Sequence, residues 1–206
     1  MNPTNPLRLE PLTNKSLKLF RDLLGSSDFG GCFCAVWTSY GQDWTKRCND
    51  PAQPNYFTTE RLVNQGHHVG YLVFDNDELV GWTGSGPKTA FPQLETKLGS
   101  RLSSFSPKTW SVGCLAVPET HRGKKLSERI VAALILEARI HNSEVVEAYP
   151  IRPFHEPRIF RGTHSLYQRM GFEEVGSEKD GEFDIVLMRL PFPPDSSDES
   201  SSKEWS

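Results

Sequence analysis

The chain has 206 residues, 36% of them hydrophobic and 24% charged, which gives one domain with a substantial core and excludes two comfortable ones. Of 26 acids and 23 bases, four acids and one lysine fall in the last sixteen residues, so the rest of the chain is balanced and shows no basic excess that asks for a nucleic acid. No apolar run approaches the ~20 residues that span a membrane, "MNPTNPLRLE" lacks the apolar centre of a secretory signal, and four cysteines (Cys32, Cys34, Cys48, Cys114) do not make a disulfide framework. The expected protein is cytoplasmic, with reduced thiols.

In chain order, "LRLEPLT" (7–13) alternates as a first strand does. "NKSLKLFRDLLG" (14–25) places Leu17, Leu19, Phe20, Leu23 and Leu24 on a helical stripe closed by Gly25. The aromatic and glycine-rich run "DFGGCFCAVWTSYGQDW" (28–44) fits neither element cleanly. "TTERLVNQG" (58–66) predicts a short helix capped by Thr58 or Thr59. "VGYLVFDNDELVGWTGSGP" (69–87) is a hairpin turning at Asp75-Asn76-Asp77. "FPQLETKLGSRL" (91–102) is helical after Pro92.

"WSVGCLAV" (110–117) is apolar on both faces, as a central strand requires. In "KKLSERIVAALILEARIHN" (124–142), Leu126, Ile130, Leu134 and Ala138 recur every four residues, while Glu128, Arg129, Glu137 and Arg139 face water. "VVEAYPI" (145–151) is the next strand, and strand–helix–strand over 110–151 predicts a right-handed crossover between parallel neighbours. A proline-rich loop leads to "THSLYQRM", a helix capped by Thr163 and stopped by Gly171. "FEEVGSE" and "FDIVLMRL" close the fold as a hairpin. The domain is expected to occupy 1–190. Residues 191–206, acidic and serine-rich, lack apolar surface to bury and are expected to be a disordered tail.

"HRGKKLSERI" (121–130) stands between the end of a central strand and a long helix. Such a junction aims unpaired backbone N–H groups at whatever lies above the strand end, and the helix dipole favours an anion there. Arg122 and Lys124 or Lys125 add positive charge at a helix start, which is unfavourable unless an anion compensates it.

In this context "WSVGCLAVPETHRGKKLSERIVAAL" resembles the acetyl-CoA motif of the GNAT N-acetyltransferase superfamily, a strand ending in Leu-x-Val that leads into Arg-x-x-Gly-x-Gly/Ala and a helix. "LYQRMGFEEVG" (166–176) resembles that superfamily's Tyr-x-x-x-Gly-Phe signature. "CFC" (32–34), "GWTGSGP" (81–87), "WSVGC" (110–114), "EAYP" (147–150) and the approach "FRGTHSLY" are similar to an uncharacterised branch of it. The resemblance covers about residues 7 to 190. It implies an α/β (α+β mixed-sheet) GNAT fold, a central twisted sheet whose fourth and fifth strands splay apart. It also implies that Leu115, Ala116 and Val117 hold pantetheine, and that Arg122, Gly123, Lys124, Lys125, Leu126 and Ser127 surround the pyrophosphate of acetyl-CoA. Lys125 and Ser127 stand where the motif has glycines, with Lys125 expected to be helical, and Phe160 stands where the superfamily has an asparagine.

Acetyl transfer to an amine needs a neutral amine, a donor for the developing oxyanion and a proton for the leaving thiolate. The resemblance gives Tyr167 the role of general acid, against core packing as the plain alternative. It also lets Gly113, beside Cys114, form a strand bulge that aims an N–H at the thioester carbonyl. The fourth strand carries no acid, so Glu147, inside an apolar strand, is either the base or one side of a salt bridge. His155, His164 or a water chain are the other candidates for base. Phe33, Cys34, Trp37 and Trp82 either line the acceptor pocket or pack in the core, as do Tyr40 and Trp44. Cys-x-Cys spacing is too short for a usual structural zinc site, and no metal is expected. The expected activity is direct acetyl transfer from acetyl-CoA to a small-molecule amine, with no nucleic acid or membrane partner and a homodimer left open. The alternatives are a protein-amine acetyltransferase and a non-catalytic acyl-CoA-binding module.

Overall fold

A computed structural model describes residues 6–39, 44–102, 107–154 and 160–193. One mixed sheet of eight strands forms the middle layer. The strands are β1 (Arg8–Pro11), β2 (Tyr71–Asp75), β3 (Glu78–Pro87), β4 (Thr109–Ala116), β5 (Val145–Ala148), β6 (Ile151–Arg152), β7 (Glu173–Asp180) and β8 (Phe183–Pro191). Their order is β1-β2-β3-β4-β5-β8-β6, with β7 on the other side of β8. Among the described residues only β4 and β5 pair in parallel, joined by the expected helical crossover.

The helices are α1 (Leu17–Leu24), α2 (Ala35–Thr38), α3 (Pro54–Asn64), α4 (Gln93–Leu102), α5 (Leu126–Ile140) and α6 (His164–Arg169). Phe20, Trp37, Tyr56 and Leu94, from α1 to α4, share a core with Trp82 on one face of the sheet. Ile130, Leu134 and Tyr167, from α5 and α6, share another with Val112 and Val146 on the opposite face. The four-residue repeat of α5 is buried at Leu126, Ile130, Leu134 and Ala138, as its pattern predicts. Every residue of β4 is buried, because both faces of that strand are covered.

Boundaries differ from expectation for local reasons. Helix α3 begins at Pro54, whose fixed φ suits a first turn and whose missing N–H costs nothing there. Thr58 and Thr59 therefore lie inside the helix rather than at its cap, and Thr59 Oγ1 donates to the Phe33 carbonyl at 2.9 Å. The expected strand 145–151 is broken after Ala148, where Pro150 has no N–H for a ladder and its carbonyl instead accepts from Val186 N at 2.8 Å. Strand β8 runs on to Pro191, and Phe192 N donates to Glu144 O at 2.8 Å. The Arg139 guanidinium lies 4.4 Å from the Phe192 ring centre, so the ordered fold passes the expected boundary at 190. Residues 194–206, with the rest of the expected tail, lie outside the described residues.

Two irregularities of β4 shape the centre of the molecule. Pairing with β5 covers only Thr109–Val112 against Val145–Ala148. Strand β4 then continues through Gly113–Ala116 while β5 has ended, which is the splay of fourth and fifth strands. On the other edge, Thr83 faces Leu115 but Ser85 faces Val112. One extra residue on β4 is thereby accommodated at Gly113–Cys114, a β-bulge.

Candidate functional site

The bulge depends on two glycines. A Cβ on Gly113 would stand 2.4 Å from the Gly84 carbonyl oxygen and 2.9 Å from Trp37 Nε1, and a Cβ on Gly84 would stand 2.8 Å from Cys34 Sγ. With both side chains absent, α2 comes down onto the β3–β4 seam. Trp37 Nε1 donates to Cys114 Sγ at 3.0 Å and Trp82 Nε1 to Cys34 Sγ at 2.8 Å. Cys34 and Cys114 meet at Gly84, since the same Cβ there would stand 3.7 Å from Cys114 Cβ. The neighbouring Cys34 thiol, with help from Trp37 and the positive Arg161, holds the Cys114 thiol below its usual range against the opposing effect of burial. The Cys114 thiol and burial push Cys34 well up. Phe33 and Cys34 both adopt left-handed backbone conformations, costly for side-chain-bearing residues and tolerated where the surroundings over-determine them. Phe33, Cys34, Trp37 and Trp82 are all buried in one apolar cluster, so the structure gives them the core packing that was the plain alternative to an open acceptor wall. Trp44 is partly buried against the same cluster, and Tyr40 lies outside the described residues.

Beyond β4 the chain turns through Pro118 and a 3-10 turn at Glu119–His121. Two side chains tether this turn: Glu119 N donates to Asp28 Oδ2 at 3.1 Å, and His121 Nε2 lies 3.0 Å from Glu78 Oε1. Arg122 Nε reaches back to the Val117 carbonyl at 3.2 Å. Gly123 (φ 78°) and Lys125 (φ 54°) are left-handed, while Lys124 between them is not. Such alternation turns successive amides toward one concavity that suits an anion. Helix α5 starts only at Leu126, so Lys125 is not the helical residue expected from the sequence but its left-handed N-cap, with no side-chain capping bond. It thus keeps a glycine-like backbone at the motif's glycine position. The first-turn amides of α5 have no intrahelical acceptors. Arg122, Gly123, Lys124 and Lys125 around them are exposed, Leu126 is buried and Ser127 half-buried. Leu115, Ala116 and Val117, the strand end leading into this turn, are buried.

Tyr167 sits on α6, whose N-cap Thr163 Oγ1 accepts from Leu166 N at 3.1 Å, as the sequence predicts. Its ring is fully buried and its hydroxyl donates to the Arg161 carbonyl at 2.8 Å. Gly162 makes this approach possible, since a Cβ there would lie 2.8 Å from the phenol oxygen. Burial, and then the field of Cys114, push the phenol well above its usual range, so it holds its proton. The Arg161 guanidinium lies 4.7 Å from the Trp37 ring centre. Tyr167, Arg161, Trp37 and Cys114 therefore form one connected set beside the splay.

Glu147 is also fully buried, and both of its oxygens are engaged. Oε1 accepts from Arg189 Nε at 2.7 Å, and Oε2 accepts from Lys88 Nζ at 2.6 Å and from the Tyr149 hydroxyl at 3.0 Å. The Tyr149 phenol has one proton, which it gives to Glu147, so at 2.7 Å Ser111 Oγ donates to it. This arrangement is the salt-bridge alternative for Glu147, completed by two cations and a relay of hydroxyls to β4. His164 Nε2 lies 2.9 Å from Glu174 Oε2 at the protein surface, His155 lies outside the described residues, and Phe160 packs on Phe29 with ring centres 5.5 Å apart.

A family model described as the acetyltransferase (GNAT) family matches residues 33–172, more than half of the chain. The chain belongs to the GNAT acetyltransferase family. No curated protein matches it in sequence. Among solved structures, the aminoglycoside acetyltransferase AAC(6')-Ib in complex with paromomycin and acetyl-CoA is 16% identical with a TM-score of 0.61, covering 97% of this chain and 100% of that one. A putative GNAT acetyltransferase from Desulfovibrio desulfuricans is 15% identical with a TM-score of 0.54, covering 90% and 98%. An uncharacterised protein from Bacillus halodurans is 12% identical with a TM-score of 0.62, covering 90% and 83%. At these identities the likeness is one of fold.

Within the GNAT frame, Lys88, Arg189, Ser111 and Tyr149 form a single network that no local sequence pattern marks. A lysine following "GSGP" reads as exposed, and only the tertiary fold brings the turn after β3 together with β4, β5 and β8 around Glu147. The approach of Cys34 to Cys114, 80 positions apart, is equally invisible in the thiol spacings. Among the described residues no group of three or more His, Cys, Asp or Glu is placed to hold a metal, and no helix is long and apolar enough to cross a membrane.

Proposed function

We propose that this GNAT protein transfers an acetyl group from acetyl-CoA directly to the amine of a small molecule. One observation carries the reading: the end of β4, unpaired on its β5 side, runs into the left-handed turn Gly123–Lys125 at the start of α5. Acetyl-CoA, when bound, supplies an activated acyl group. The first-turn amides of α5 and the charges of Arg122, Lys124 and Lys125 hold its pyrophosphate, and the backbone edge of Leu115–Val117 that β5 leaves unpaired takes its pantetheine. Ser127 and Gly123 leave room for the approach. An N–H of the Gly113–Cys114 bulge stabilises negative charge developing at the carbonyl. Tyr167 holds the proton that the departing thiolate requires.

Glu147, pinned by Lys88 and Arg189, orders the floor of the splay, and water removes the proton from the incoming ammonium. A binding module without turnover is the second reading, because the Tyr167 hydroxyl is committed to the Arg161 carbonyl and both Glu147 oxygens are taken. Calorimetry with CoA, followed by mass spectrometry of an amine panel with acetyl-CoA, separates the two. Binding with acetylated product supports the enzyme, binding without product supports the module, and absence of binding refutes both.

A further inference from the structure

Near the candidate centre, but not used by it, lies a second thiol pair. Cys32 and Cys48 are both half-buried, and each thiol acts on the titration of the other. The two segments that carry them are knitted together independently of the sulfurs. Asn49 N donates to the Gly30 carbonyl at 2.9 Å. The fully buried Asn55 sends its amide to the Gly31 carbonyl at 3.2 Å and the Trp44 carbonyl at 3.0 Å, with Cys48 Sγ 3.8 Å away. The backbones are therefore held side by side, as a cross-link requires. By contrast Cys34 and Cys114, although also neighbours, are buried and take the indole N–H groups of Trp82 and Trp37.

We propose that Cys32 and Cys48 are a reversible redox couple, in which hydrogen peroxide oxidises Cys48 and Cys32 resolves the product into a Cys32–Cys48 disulfide. The division of labour follows from the surroundings. The neighbouring Cys32 thiol and the adjacent Arg47 bring the Cys48 thiol down to about 7, against the opposing effect of burial. The neighbouring Cys48 thiol and burial push Cys32 well up. Cys48 is thus the thiolate that attacks and Cys32 the thiol that waits. In the first step the Cys48 sulfur attacks a peroxide oxygen, the O–O bond breaks, water leaves with a proton from solvent, and Cys48 carries a sulfenic acid. In the second the Cys32 sulfur attacks that sulfur, the S–O bond breaks, and the hydroxyl leaves as water with the Cys32 proton. Two thiols lose two electrons in total and the peroxide is reduced to water. The bridge ties residues 47–49 to the left-handed Phe33–Cys34 step, and so to α2, which carries Trp37.

The test is peptide mapping of the full chain after treatment with hydrogen peroxide, which needs no turnover and stands whether or not an acetyl acceptor is ever found. The expected product links the Cys32 and Cys48 peptides with loss of two hydrogens, and dithiothreitol reverses it. Cys34 and Cys114 should alkylate only after unfolding. In Cys32→Ser, dimedone should label Cys48, and in the unsubstituted protein the rate should rise with pH about a midpoint near 7. A bridge between Cys34 and Cys114, a Cys48 sulfinic acid beside a still-reduced Cys32, or four unreacted thiols would each overturn the proposal.

Discussion

Trp37 donates its indole N–H to Cys114 Sγ at 3.0 Å, across 77 positions of sequence. This contact joins the short helix over the sheet to the bulge of the central strand, and it exists because Gly113 has no side chain. A methyl group there would meet the Gly84 carbonyl and the indole well inside contact distance. Gly113→Ala should therefore cost about 2 kcal/mol by overpacking a closed core, measured by urea unfolding. It should also lower activity by disturbing the bulge. A variant of unchanged stability would show that the seam has slack.

Gly123→Ala isolates a different cost. Nothing lies within 4 Å of a Cβ at Gly123, but its φ is +78°. Backbone strain alone then sets the penalty, about 1 kcal/mol. Equal melting of variant and parent would mean that the turn relaxes to a right-handed form without loss.

Arg122 is exposed, and its Nε donates to the Val117 carbonyl. Arg122→Glu should weaken CoA binding at least about tenfold, the worth of roughly 1.4 kcal/mol, with the melting temperature little changed. Loss of fold would assign Arg122 a structural role instead.

Lys88 and Glu147 are a fully buried pair. Lys88→Met leaves Glu147 with Arg189 and Tyr149 as partners, and should cost about 3 kcal/mol. Combining it with Glu147→Met removes the buried charge altogether, so the double variant should be more stable than Lys88→Met alone. If the two losses simply add, the network is not a coupled unit.

Acid should loosen the anchoring of α5 to the β2–β3 hairpin. The Arg129 guanidinium, 2.6 Å from Asp75, holds that carboxyl below its usual range. A depressed folded pKa contributes stability that is present above the unfolded value near ~3.9 and is lost as pH falls through the folded one. Asp75→Asn should lower stability at neutral pH and flatten its fall on the acid side. An acid limb of unchanged slope would show that the pair is not linked to folding.

The parts of the fold legible in the sequence were those set by periodicity and by local caps. The four-residue repeat of α5 names its buried face, the two-sided apolar run of β4 names a central strand, and Thr163 and Gly171 bracket α6. What was not legible depended on partners far apart in sequence. From sequence Glu147 reads equally as a base or an ion-pair partner; the turn after β3 and strand β8 supply Lys88 and Arg189. The aromatic run from Phe33 to Trp44 carries no clean period because Phe33 and Cys34 are left-handed, a conformation that no propensity predicts. Lys125 hid its backbone for the same reason: a lysine before a helix reads as helical, while the turn demands a glycine-like φ.

Tyr167 tests the central claim most directly. Its hydroxyl is buried, protonated and mounted beside the splay on a capped helix. Tyr167→Phe keeps the packing against Phe172 and removes only the proton and one hydrogen bond, which costs about 1 kcal/mol of stability. With an acceptor found from the amine panel, the turnover number should fall by roughly 10² while CoA affinity stays nearly constant. Turnover by the phenylalanine variant at the parent rate would contradict the account and leave Tyr167 a core residue.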